Sequence, residues 1–387
     1  MPAALIFTTP KFFFYFCYNL QILFKPVSRN PVPTMSAPEM TQKVARELVE
    51  TIADDHGYVP ESIWKALNPE HRETLQRKMK NLESIAGTAI STLAKNLYTS
   101  DARFVFELLQ NAEDNSFTAA RNAGFAPHVS FEVYPDQIII GCNEDGFQPE
   151  NLKAICAVGK SSKSGAQKGY VGEKGIGFKS VFMAAWKVHI ESGPFSFFFK
   201  HKKGDQGLGM ITPVWEDLDD DEEPYPGTRM VLELGDGYSP ISPSQYQIIL
   251  DQFNSLKENI LLFMRNIEEI EISIFDNEKK LERSNTFSRE RIDENLIRLT
   301  KVSKTASKVE SSSREYYIFK HTVGGLDKNE IRTYSEYEEE NKTYASAEVV
   351  LGFPLTEESV PIVEYQEIFT FLPMKQAGFT PIDRTLS

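Results

Sequence analysis

The sequence predicts an α+β sandwich: a mixed, mainly antiparallel sheet with helices on one face, followed by a partial β-rich second unit. Three observations predict it. Alternating or continuously apolar runs cluster between residues 128 and 234, a helix with one apolar and one polar face precedes them, and alternating runs return from residue 269 without helices between them.

Residues 1–36 read as a disordered apolar extension, or as one lying upstream of a natural start at Met35-Ser36-Ala37. Phe12 to Phe24 is aromatic and apolar, but Asn19 and Gln21 interrupt it and it is too short to span a bilayer. Residues 37–97 form a helical lead in which Val44, Leu48 and Ile52 keep a helical period. The unit 98–267 opens on the helix containing ELLQNAEDN (107–115), where Val105, Leu108, Leu109 and Ala112 make a buried stripe. The expected strands are HVSFEVY (128–134), QIIIG (137–141), WKVHIES (186–192), FSFFFK (195–200) and TRMVLEL (228–234). The acidic run Asp217 to Glu223 reads as a solvated loop, and a long helix is expected from Ser244 to Arg265. Near Ile267 the character changes, and EIEISIF, LIRLTKV, EYYIFKH and AEVVLGF mark a second unit, 268–387, cut short at Ser387.

With 387 residues, 41% of them hydrophobic, the chain can bury a large core. Its net charge of −13 argues against a general nucleic-acid binder. Cys17, Cys142 and Cys156 are too widely spaced for a disulfide framework or a zinc pattern, which favours an intracellular setting, cytoplasmic or nuclear. None of the six histidines has metal-ligand spacing.

Two stretches carry chemistry. In ELLQNAEDN, Glu107, Asn111 and Asp114 lie opposite the apolar stripe, with Glu107 and Asn111 one turn apart. That spacing lets Asn111 meet a Mg-phosphate group while Glu107 reaches an attacking water. An ordinary solvated helix face would show the same pattern. In GEKGIGFKSVF (172–182), Gly172, Gly175 and Gly177 precede an apolar helical start at Phe178, Val181 and Phe182, an arrangement suited to anions and also common in plain turns. Lys160, Lys163, Lys168, Lys174 and Lys179 make a local cationic patch in an acidic chain, which points to an anionic ligand. A Rossmann fingerprint is discounted, because its glycines come in another order and follow a strand. AICAVGKS (154–161) departs from a P-loop by Ala154, and helical rather than strand spacing precedes it.

ELLQNAEDN, CNEDGF (142–147), GEKGIGF and Gly227-Thr228 together resemble the GHKL ATPases, a family that includes gyrase, heat-shock chaperones, histidine kinases and MutL. LYTSDARFVFELLQNAEDNSF (97–117), NEDGFQPENLKAICAVGKSSKS (143–164) and IFTFLPMKQAGF (368–379) are similar to the sacsin and NO VEIN branch. The resemblance runs from about Ala45 onward and is most specific over 97–182.

The resemblance implies a Bergerat-type sandwich binding ATP and Mg2+, with Glu107 as general base and Asn111 as metal ligand, beside Asp114 and Asn115. It implies an acid that accepts from the adenine amino group. Ungapped comparison puts Cys142 there, and a thiol is a poor acceptor. A shift of one or two residues supplies Glu144 or Asp145, of which Glu144 is favoured, in a segment that also holds Asn143, Gly146 and Phe147. Residues 159–171 would be a lid, with Lys160, Ser161 and Ser162 on the polyphosphate. Gly172, Glu173, Lys174, Gly175, Ile176 and Gly177 would hold the phosphates, with Phe178 packed behind. Thr228 would close the adenine end, and Lys375 would bring a basic group to the terminal phosphate. The function implied is an ATP-hydrolysing, chaperone-like module whose lid closure drives conformational change, with a protein client or further domains of a longer chain as partners. The alternatives are a nucleotide-binding interaction module without turnover and a histidine-kinase-like phosphotransferase.

Overall fold

Alternation becomes sheet wherever every second side chain can be buried on one face. In a computed structural model of the chain, which describes residues 40–80, 87, 104–157, 177–205, 207–218, 225–327, 345–362, 369–370 and 372–373, Val129, Phe131 and Val133 of β1 (His128–Val133) are buried while the residues between them are partly open. The same logic builds β2 (Gln137–Cys142), β3 (Ala185–Ser192), β4 (Phe195–Lys200), the short β5 (Val214–Trp215) and β6 (Thr228–Leu234). The expected extension 1–36 lies outside the described residues.

The strands after residue 268 continue this sheet rather than starting another. β7 (Glu269–Phe275), β8 (Leu281–Arg291), β9 (Leu296–Thr305), β10 (Val309–Gly324) and β11 (Ser346–Pro354) give the order β11-β10-β9-β8-β7-β1-β2-β6-β3-β4-β5. Of these pairings only β7 with β1 is parallel. The division expected at residue 267 therefore falls inside one eleven-stranded sheet. β8 was not expected from the sequence, since LERSNTFSRER buries only Ser284 and Phe287 and is held by pairing with both β7 and β9.

Helices cover the apolar face. α1 (Gln42–Asp55) is capped by Thr41, whose side chain accepts from the Val44 amide, and buries Ala45, Val49 and Ile52. After α2 (Glu61–Ala66) and α3 (69–80) come α4 (Phe104–Glu113), α5 (Thr118–Asn122), α6 (Pro149–Cys156) and α7 (Pro243–Ser255). α7 drops Phe253 edge-on against Phe131, with ring centroids 5.3 Å apart. The long helix expected to Arg265 instead ends at Ser255. The Ser255 hydroxyl donates to the Gln252 carbonyl, Leu256 turns extended, and a 3-10 helix at Glu258–Leu262 buries Ile260, Leu261 and Leu262. Among the described residues no helix is long and apolar enough to cross a membrane.

One carboxylate fixes α4 against the sheet. Glu113, the last residue of α4, is buried, and its carboxylate accepts from the Asn266 amide at 2.9 Å, the Ile267 amide at 3.0 Å and the Arg265 amide. The Asn266 side chain donates back to the Glu113 carbonyl at 2.9 Å. Burial pushes the Glu113 carboxyl above the usual range, and the three amides oppose that shift. Glu113→Ala strands three backbone donors and is expected to cost about 3 kcal/mol. The check is the urea midpoint, with Glu113→Gln, which keeps one side-chain oxygen, recovering part of the loss.

Candidate functional site

α4 is helical because Val105, Leu108 and Leu109 are buried at helical spacing. Its other face leaves Glu107, Asn111 and, just past the helix end, Asp114 and Asn115 half-buried. The Asn115 carbonyl also accepts from the Asn266 side chain at 3.3 Å.

Against α4 packs a 3-10 helix at Gly177–Met183, so the end of the glycine-rich stretch does meet the helix that carries Glu107. The expected helical start is a 3-10 helix. Phe178 and Val181, three residues apart, share its buried face, and the Ser180 hydroxyl bonds back to the Gly177 carbonyl at 2.7 Å. Phe178 sits with its ring centroid 5.8 Å from that of Phe199.

Lys179 does not belong to a cationic surface. Its ammonium is buried, donates to the Ile155 carbonyl in the last turn of α6, and lies 5.4 and 5.5 Å from the Phe178 and Phe199 rings. Burial lowers its pKa to about 8. The sequence pattern misled here because side-chain direction on a 3-10 turn is not visible in composition. Lys160, Ser161, Ser162, Lys163, Lys168, Gly172, Glu173, Lys174, Gly175, Ile176 and Lys375, with the lid expected over 159–171, lie outside the described residues.

The end of β2 separates the acids of CNEDGF. Cys142 is buried between Val129 and Thr228 on the neighbouring strands, and burial, with Glu144 adding to it, holds its thiol protonated. Asn143 uses its carboxamide on the His128 amide and the Ala126 carbonyl, both at 2.8 Å, tying β2 to β1. Asp145 accepts from the Ala119 amide at 2.8 Å and so caps α5. Gly146 has φ +83°, a conformation glycine supplies without strain, and Phe147 packs against the core with its ring 6.5 Å from Phe197.

Glu144 is the acid that turns inward. It is 4% exposed, accepts from the Gly146 amide at 3.0 Å, and accepts from the Thr228 hydroxyl. Thr228 is 2.6 Å from the Ser192 hydroxyl, which accepts from the Phe147 amide at 2.7 Å. A relay of hydroxyls thus runs from the backbone after Gly146 back to Glu144. The adjacent Gly227 is required, since a Cβ there would lie 2.1 Å from the Cys142 carbonyl oxygen. Ser192 was missed in the sequence, because only the pairing of Ser192 with Thr228, and of Thr228 with Cys142, brings it to this corner.

No family model matches the chain. Among curated proteins it is 41% identical over 128 residues to Protein NO VEIN of Arabidopsis thaliana, covering 33% of this chain and 4% of that protein. It is 30% identical over 183 residues to Chaperone protein HtpG of Rickettsia massiliae, covering 41% of this chain and 29% of that protein. The chain thus spans less than a third of either relative's length. Similar solved structures include the B-subunit of DNA gyrase from Myxococcus xanthus, at 12% identity and TM-score 0.28, covering 52% of this chain and 61% of that one. Another is the ATPase domain of the mismatch repair endonuclease MutL from Aquifex aeolicus, at 13% identity and TM-score 0.24, covering 54% and 74%.

Thr228→Val keeps the shape but removes the hydroxyl shared by Glu144 and Ser192, and is expected to cost about 2 kcal/mol in denaturant melts, with Thr228→Ser close to wild type. Lys179 gives a pH signature. Its folded pKa is lowered from 10.5 to about 8, so between those values the unfolded chain binds more protons and stability rises with pH. Relative to Lys179→Met, the wild-type chain is expected to gain about 2 kcal/mol between roughly pH 7.5 and pH 10, read from urea unfolding at the two pH values.

Proposed function

We infer that this chain, which carries a GHKL-type ATPase domain of the sacsin and NO VEIN kind, binds ATP with Mg2+ and hydrolyses it, lid closure driving a chaperone-like change of conformation. The observation that carries the reading is Glu144, a buried carboxylate held by a hydroxyl at the end of β2. A carboxylate is an acceptor, and an adenine amino group is a donor that suits it. Thr228 and Ser192 orient that carboxylate, whereas Asn143 and Asp145 are engaged with backbone and serve the frame.

At the other end Glu107 orients and deprotonates the attacking water. Asn111 offers one hard carboxamide oxygen, a donor type Mg2+ accepts alongside phosphates and water. When bound, the metal neutralises the charge that builds on the phosphates. Asp114 and Asn115 extend the polar end of α4 beside it. Gly172, Glu173, Lys174, Gly175, Ile176 and Gly177 contribute amides and charge to the phosphates, with Lys160, Ser161 and Ser162 as lid contacts and Lys375 as the basic group at the terminal phosphate. The partners are ATP and ADP, with a protein client acted on through further parts of a longer chain. Two buried free thiols, Cys142 and Cys156, fit an intracellular setting.

Isothermal titration with Mg-ATP tests binding, and absence of heat defeats the reading. Guanine turns a carbonyl toward Glu144 where adenine has an amino group, so ATP is expected to be preferred over GTP by at least about a hundredfold. Glu107→Ala is expected to keep ATP affinity while turnover falls at least about a hundredfold. Turnover unchanged in that variant removes Glu107 as base, and labelled phosphate retained on the protein points to a phosphotransferase instead.

A further inference from the structure

The sheet end away from Glu144 carries a cavity of a different chemistry. β2 and β6 pair from Cys142 with Thr228 at one end to Gln137 with Glu233 at the other, and at this second end lies a cavity of about 420 Å³ lined by Trp186, Tyr238, Asp136 and Glu233, among others. The register of β3 with β6 slips between Ala185 and Lys187, so Trp186 sits at a bulge, a device that re-aims a side chain. Tyr238, on the loop after β6, is 73% exposed.

One cation of the chain already lies against both rings. The Lys202 ammonium lies 5.0 Å from the Trp186 ring centre and 5.1 Å from the Tyr238 ring centre. Its stem passes over Gly237, where a Cβ would come within 2.5 Å of the lysine Cγ, at a backbone φ of +83°. Glycine there supplies both the turn and the room. Neither acid on the rim belongs to Lys202: Glu233 is 3.6 Å from Lys187, and the Asp136 carboxylate has no salt-bridge partner among the described residues.

We propose that the Trp186–Tyr238 clamp is a receptor for a lysine side chain on a basic segment of another polypeptide, with Lys202 holding its place in the free protein. Two aromatic rings within reach of one ammonium, with carboxylates lining the same cavity, select an alkylammonium group. A polypeptide rather than a small free cation is indicated by the exposed Tyr238 wall, which encloses a lone ammonium poorly, while neighbouring basic residues find Asp136 and a chain of charge −13.

The test is isothermal titration of the full chain with hexalysine at physiological salt. Lys202→Ala removes the internal competitor and is expected to tighten hexalysine by roughly three- to thirtyfold. Lys203→Ala removes the same charge one residue on, from a lysine 3.5 Å from Asp236, and is expected to leave the affinity unchanged. Tyr238→Ala is expected to weaken binding by a comparable factor, with Tyr238→Phe, which keeps the ring face, binding as wild type. No hexalysine binding to Lys202→Ala, equal affinities for the two lysine variants, or an unaffected Tyr238→Ala each overturns the proposal. So does tetramethylammonium binding as tightly as hexalysine, since that assigns the clamp to a small cation. ATP affinity is read in parallel, so failure here is distinguishable from failure of the nucleotide reading.

Discussion

The Glu113 carboxylate, buried against the amides of Arg265, Asn266 and Ile267, is the constraint on which the remaining geometry hangs. It ends α4 at a fixed height over the sheet, and α4 is the element that carries Glu107 and Asn111. The same loop is gripped from the other side by Arg289 of β8, which donates to the Leu261 carbonyl at 2.8 Å and to that of Met264. Burial lowers the Arg289 pKa while Glu113 opposes the shift, so each charge answers the other. The helix of the candidate site and the strands beyond residue 268 are thereby referred to one short stretch of backbone.

At the far end of β2 three neighbouring polar residues have three separate tasks. Asn143 stitches β2 to β1, Asp145 caps α5, and Glu144 alone turns into the hydroxyl pair of Thr228 and Ser192. Glu144 also accepts from the Gly146 amide, so the turn after β2 and the hydroxyl pair hold the same carboxylate. Gly227 completes the arrangement by letting two strands approach more closely than any side chain permits.

What the sequence conveyed follows the physics of each element. Val129, Phe131 and Val133, or Val105, Leu108 and Leu109, announce strand and helix because burial on one face repeats at a fixed period. β8 is silent, since its stability comes from neighbours on both sides and its side chains are mostly polar. The helix expected from the sequence overruns α7 because apolar residues continue after Ser255 in a 3-10 turn that also buries them. Glu144 and Thr228 were legible as candidates from their motifs, but their contact needs strand register. Lys179 shows the reverse error: a lysine in a lysine-rich stretch counted as surface charge, although its amine is committed to a carbonyl inside the core.

The parallel junction between β1 and β7 has a consequence for any shortened form of the chain. Because the sheet runs unbroken through residue 267, ending the polypeptide there removes not an appendage but the cover of β1. Six residues, His128 to Val133, would then present a bare row of amides and carbonyls next to the apolar core. Such an edge is a template for pairing with a second copy, and the solubility of a fragment thus depends on whether it keeps β7.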